Sequence, residues 1–353
     1  MKKIFFLLGI IALISCKNQP SGNDEAAQHQ HATDSTERTN NFYDNEEVFR
    51  LKQFPLEVTG EIENPGSVDL ASLPLRTIIV KEAELDGEGN KFIGAYRYNG
   101  YSLFDILNNR LLDKANKDAF APIIDLFVVV ENEGGEQAIF SWGEIYYPNY
   151  LHGILIATEV MRIVPSKTKE LWPLPENAKL VVNHDLITAR NLEKPVKITV
   201  VSAPREFRVN KGMSPMYAEQ IDIFSGEEQI RTIETPPAGI PDITYETIFY
   251  GRGRGIHSTT PFTGQMLKNL LEGHIDYSSE NLRTGYMIVA ARDGYRGVYS
   301  YSEIFNRNDQ SEVLLIFDPE NRDGGRFRLF PACDFFSDRA IKSVSGIYFE
   351  NYK

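Results

Sequence analysis

Arg292-Asp293-Gly294-Tyr295-Arg296-Gly297-Val298-Tyr299-Ser300-Tyr301-Ser302-Glu303-Ile304 follows the apolar run Met287-Ile288-Val289-Ala290-Ala291. Asp-Gly at the reversal tolerates the positive φ of a tight two-residue turn, so Val298, Tyr299 and Tyr301 read as a returning strand. A matching stretch lies earlier. Leu126-Phe127-Val128-Val129-Val130 is followed by Gly134-Gly135 and then by Ala138-Ile139-Phe140-Ser141-Trp142-Gly143-Glu144-Ile145. Gly135 answers Gly294, Phe140 answers Tyr299, Ser141 answers Ser300, and Glu144-Ile145 answers Glu303-Ile304. A pattern met twice in one chain points to a duplicated unit.

Two more landmarks keep the same order around each copy. Upstream stands aromatic-x-Gly-x-x-Leu, as Tyr98-x-Gly100-x-x-Leu103 and as Phe262-x-Gly264-x-x-Leu267. Each opens a short amphipathic helix, carried by Leu103, Ile106 and Leu107 in one copy and Leu267, Leu270 and Leu271 in the other. Downstream come an apolar strand, an Asp, and an Arg five positions on: Asp185 with Arg190, and Asp334 with Arg339. The landmarks recur at roughly 150 to 165 residues, which predicts two tandem domains, 51–203 and 216–353, joined by a linker from Pro204 to Pro215. Strands outnumber the short helices, so the class expected is α+β with mostly antiparallel sheet.

The amino end has its own logic. Met1-Lys2-Lys3 precedes an apolar run from Ile4 to Ile14 that is too short to span a bilayer comfortably. A basic start with a short apolar core predicts a signal peptide over 1–15. Its Leu13-Ile14-Ser15-Cys16 ending is similar to the lipobox of bacterial lipoproteins, which implies lipidation of Cys16 and attachment to the membrane. Lys17 rather than Asp at the next position points to the outer membrane of the cell envelope. Residues 16–50 are mostly polar and read as a solvated tether. His29 and His31 belong to that composition, and no metal site is assigned to them.

Over 353 residues the chain is 42% hydrophobic and 24% charged, a soluble globular balance, with a net charge of −12. That acidity argues against a nucleic-acid partner, whose phosphates need Lys and Arg. With Cys16 lipidated, Cys333 has no intramolecular partner, so no disulfide framework is expected.

Leu56-Glu57-Val58-Thr59-Gly60, Asn64-Pro65-Gly66, Tyr98-x-Gly100-x-x-Leu103 and the hairpin ending Phe140-Ser141 resemble the sulfite-oxidase-like molybdopterin-binding domain. Asp293-Gly294-Tyr295 and Phe327-Arg328-Leu329-Phe330-Pro331 continue the resemblance in the second unit. It implies two tandem molybdopterin-binding-type domains covering most of the chain after the tether. It also implies a Cys thiolate on molybdenum, in the loop before the aromatic-x-Gly-x-x-Leu helix. The matching stretches are Lys81–Glu88 and Tyr250–His257, and neither holds a Cys. A soft metal centre needs that ligand, so both units read as having lost the metal and no cofactor is expected.

What remains in the second unit is Gly251-Arg252-Gly253-Arg254-Gly255-Ile256-His257. Alternating glycines let backbone N–H groups converge, and Arg252 and Arg254 add planar donors suited to an anion. His257 stands beside them, and Arg292 leads the hairpin that could face the same place. The expectation is a non-enzymatic binding or interaction module, with Arg252, Arg254, His257 and Arg292 as candidate ligands of a small anion. The alternative is a molybdopterin oxidoreductase with electron-transfer activity. A third role is that of a purely structural partner to another envelope protein in an outer-membrane assembly, with the acidic first unit as the contact surface. Asp185, Arg190, Asp334 and Arg339 occur in both copies and are read as fixing a turn, and Cys333 as a structural thiol.

Overall fold

The computed structural model describes residues 40–44, 46–87, 89–321 and 324–353. The signal peptide, Cys16, His29, His31, most of the tether and Glu88 lie outside the described residues. Residues from Asn41 to Lys353 form one compact unit.

Four small sheets make up that unit. The first runs in the order Phe49–Arg50, Ile154–Arg162, Gly89–Ser102, Arg76–Asp86, with Lys179–Val182 also paired to Ile154–Arg162. The second runs Gly66–Ser67, Glu57–Gly60, Pro195–Ser202, Leu126–Asn132, Gln137–Ser141. The third runs Glu228–Ile233, Ile221–Ser225, Val344–Asn351, Gly285–Ala291, Arg296–Ser300, and the fourth Asp242–Tyr245, Phe262–Met266, Val313–Phe317, Phe327–Pro331. Phe249–Gly251 and Gly255–Ser258 add a separate two-stranded hairpin. The second and third sheets share an unusual connection: each places its last strand parallel to its first and antiparallel to the next.

The expected α+β class and the pair of molybdopterin-binding-type domains are not what the chain forms. The structure is mostly β, 43% strand against 12% helix, with its four small sheets set in a propeller-like ring. The reason lies in the helices. The helices α1 (Leu103–Asn108), α2 (Trp142–Tyr146), α3 (Leu267–Leu271), α4 (Ser279–Thr284) and α5 (Tyr301–Phe305) have only five or six residues each. Such single turns cap strand ends and bury two to four residues each; they cannot cover a sheet as a layer.

Sheets cover one another instead. Leu126, Val128 and Val130 point into a core shared with Leu103, Ile106 and Leu107. Their neighbours Phe127 and Val129 point the other way, into a second core with Tyr286, Ile288 and Val298. Phe127 stacks on Tyr286 at 5.0 Å between ring centroids. In Gly285–Ala291 the division is the same, with Met287, Val289 and Ala291 facing the core around Leu267 and Leu270. Both strands are therefore apolar without alternation because both faces are dry.

The glycine of the aromatic-x-Gly-x-x-Leu pattern is explained by strand spacing. A Cβ on Gly100 would stand 2.2 Å from the Ile156 carbonyl oxygen, and one on Gly264 would stand 2.5 Å from that of Leu315. Gly294 combines φ of +86° with the Arg208 carbonyl 2.5 Å from where a Cβ would be, so the linker lies against this turn. Gly100→Ala is expected to lower stability by about 2 to 3 kcal/mol in urea unfolding, as backbone crowding between paired strands does. Gly87→Ala, where a Cβ meets nothing, is the control and should be neutral. Equal midpoints for the two would refute the spacing argument.

Candidate functional site

The serines that end the two hairpins each cap a helix. Ser141 Oγ accepts the Glu144 N–H at 2.9 Å to start α2, and Ser300 Oγ accepts the Glu303 N–H at 3.0 Å to start α5. Each hydroxyl proton goes across to the other copy. Ser141 Oγ donates to Glu303 Oε2 at 2.7 Å, and Ser300 Oγ donates to Glu144 Oε2 at 2.8 Å. The two helix starts are thus tied by reciprocal bonds.

Arg190 and Arg339 complete the arrangement, both with no exposed side-chain surface. Arg190 forks onto Asp185 through Nε and Nη2 at 2.8 and 2.6 Å and onto Glu144 at 2.6 and 3.0 Å, and its Nη1 reaches Ser300 Oγ at 3.2 Å. Arg339 forks onto Asp334 at 2.8 and 2.6 Å, donates to Glu303, and reaches Ser141 Oγ at 3.0 Å. Each guanidinium lies over the ring of its own hairpin, Phe140 at 4.5 Å and Tyr299 at 4.4 Å. Gly143 leaves room for this: a Cβ there would meet Arg339 Nε at 2.2 Å. The Asp and Arg pairs read from sequence as turn fixtures are joined by their carboxylates and guanidiniums into one buried network between the copies.

Two carboxyls of this network are shifted in opposite directions. Burial pushes the Glu144 carboxyl up, but Arg190 and His184 more than reverse it and hold it well below the usual carboxylate range. Burial raises Asp334 above that range; Arg339 opposes the rise and the neighbouring Glu303 adds to it.

His184 and Cys333, the residues just before Asp185 and Asp334, open onto a cleft of about 320 Å³. Its wall continues through Tyr150, Arg307, Asn308 and Asp309. His184 Nε2 lies 2.9 Å from Glu144 Oε1, linking the cleft to the network. Arg307 is held by Asp309, Nε to Oδ1 at 2.9 Å and Nη2 to Oδ2 at 2.5 Å, with 5% of its side chain exposed.

Glu144, His184 and Asp185, and likewise Glu303, Cys333 and Asp334, are close enough to surround an ion. Their donors do not fit one. The carboxylates are engaged by the two arginines, and burial pushes the Cys333 thiol well above the usual thiol range, so it is no thiolate ligand. The stretches expected to seat a molybdopterin fit no better. Arg76–Asp86 is a strand in which Glu82 pairs with Lys179 at 2.8 Å, and Tyr250–His257 is a hairpin; neither carries sulfur.

Arg252, Arg254 and His257 share that hairpin and are exposed. Arg252 pairs with Asp338 at 2.5 Å, and His257 lies against Phe249, 5.6 Å between centroids. Arg254 has no partner among the described residues. Arg292 instead donates to the Tyr217 carbonyl. The cleft is lined by none of these four. The sequence reading did not single out His184, Arg307 or Asp309 as a site, although one signal was present. Between two copies that keep Asp and Arg at the same spacing, the residue before the Asp differs, His in one and Cys in the other.

No protein-family model matches the chain, and no curated protein matches it.

The depressed pKa of Glu144 has a pH signature. Its stabilisation is complete above the unfolded value, about 4.3, and is lost as pH falls toward and through the lower folded value. The urea midpoint of the wild type should therefore fall more steeply below about pH 4.3 than that of Glu144→Gln. Parallel profiles would show that Glu144 is not held ionised by Arg190.

Proposed function

We propose that the folded body is a binding module that holds a small anion in the cleft beside His184, Cys333 and Arg307. One observation carries this reading. Arg307 is almost fully enclosed and locked by Asp309, while its Nη1 has no partner among the described residues. A guanidinium fixed on one edge presents its remaining N–H donors at low entropic cost, and planar oxyanions such as carboxylate match that geometry. A volume of about 320 Å³ is that of a small-solute site. Asn308 adds polar surface, and Tyr150 supplies an aromatic wall.

Binding rather than turnover follows from the state of the groups present. The Cys333 thiol is kept protonated by burial, and Glu144 is committed to Arg190, His184 and Ser300. Neither is poised as a nucleophile or a base. The anion site thus moves from the Gly–Arg hairpin to the junction between copies, where a charge is enclosed.

Isothermal titration with acetate, succinate, sulfate and phosphate tests the proposal. At least one should bind saturably, and Arg307→Gln should weaken it about 10- to 100-fold, the value of a charge-assisted hydrogen bond. Arg252→Ala with Arg254→Ala should leave binding unchanged. Binding that survives Arg307→Gln, or is lost with the hairpin arginines, would overturn the assignment.

A further inference from the structure

The duplication supplies an internal reference for the rest of the chain. Pro74 and Pro241 align the two copies at one point, Gly100 and Gly264 at another. Counting from them without gaps sets Leu70 opposite Pro237, Leu73 opposite Ile240, and Tyr101 opposite Gln265. In the first copy Leu70, Leu73 and Tyr101 are half-buried and pack against the core between the first two sheets. A turn of 3-10 helix, Leu70–Ser72, brings the leucine inward.

The second copy lacks that plug. Pro236-Pro237-Ala238-Gly239 replaces the turn, and a cavity of about 450 Å³ opens at this place. Its walls include Ile233 from the third sheet, Leu315, Phe317 and Phe327 from the fourth, Leu270 from α3, and Ile240 from the loop after the prolines. Asp242 and Thr263, both exposed, add polar groups to its lining, and Gln265 is a buried polar group in its wall. Gln265 is 7% exposed; its Nε2 donates to the Ile240 and Pro237 carbonyls at 2.9 and 3.3 Å. Its Oε1 has no partner among the described residues. The side chain is therefore fixed by its nitrogen and offers an acceptor to the cavity.

A concave site of this size, with apolar side chains in its wall and a few fixed polar groups, is the usual form of a small-molecule pocket. We infer that the second copy carries a separate site for a small apolar molecule bearing one hydrogen-bond donor, its body among Leu270, Leu315, Phe317 and Phe327 and its donor on Gln265. The site is distinct from the junction cleft and shares no lining residue with it.

N-phenyl-1-naphthylamine, neutral and apolar with one N–H, is a direct probe of the full chain. Its fluorescence should rise and saturate at one site per protein. Pro237→Leu and Gln265→Tyr, which restore the first copy's residues, should each weaken that signal about tenfold or more, a loss of at least about 1.4 kcal/mol, with far-UV circular dichroism unchanged. Pro237 lies in a turn outside the strands, so its variant carries the test if Gln265→Tyr does not fold. Arg307→Gln should bind the probe as the wild type does. The inference fails if the wild type does not bind the probe, or if a folded Pro237→Leu binds it equally well.

Discussion

The crossed hydrogen bonds Ser141–Glu303 and Ser300–Glu144, with Arg190 and Arg339 buried behind them, are the constraint on which the rest of the structure rests. Each serine has two duties. It caps its own helix with its oxygen and binds the opposite glutamate with its proton. Two fully buried guanidiniums would be costly alone, since stripping an ion of water takes several kcal/mol. Here each is met by two carboxylates, a serine and a backbone carbonyl, so the desolvation is repaid by geometry rather than by charge alone. What such a network adds is definition. A docking of the two copies shifted by one residue would strand buried charges, whereas the apolar contacts of Phe127, Val129, Tyr286 and Ile288 beside it would tolerate the slip.

Much of this was visible as recurrence in the chain, and little of it as meaning. Ser141 and Ser300, Glu144 and Glu303, and the two Asp–Arg pairs stand out because they repeat in order. A repeated polar residue inside an apolar context reads as a turn, because an ion pair formed between copies leaves no local trace. The fold class was misread for a related reason. Leu103, Ile106 and Leu107 do make a helical stripe, but α1 stops after six residues and buries only that stripe. The informative signal was the unbroken run Val128-Val129-Val130 and its partner Ile288-Val289-Ala290-Ala291. Strands without alternation need cover on both faces, which here comes from other sheets. Gly100, which carried the family resemblance, and Gly264, its counterpart in the repeat, are set by the approach of a neighbouring strand.

Divergence between the copies is where chemistry appears. The junction residues are kept in both, while His184 faces the cleft in one copy and Cys333 in the other. Leu70 and Tyr101 fill their core; Pro237 and Gln265 do not. The long strands Arg76–Asp86 and Gly89–Ser102 reach across so that Ala83 and Leu85 pack on the core around Leu267 and Leu270, and Ala83 is fastened to Thr188. The shorter Phe249–Gly251 and Gly255–Ser258 hairpin, with its arginines, stays exposed. A shared junction thus frees the outer ends of each copy to differ.

The central claim is that the crossed network makes both copies a single cooperative body. Both tryptophans, Trp142 and Trp172, lie in the first copy, so their fluorescence reports that half alone. Hydrogen exchange in the strand Gly285–Ala291 reports the other. Followed together through a urea titration, the two signals should give one coincident transition. Two separated midpoints would contradict the account.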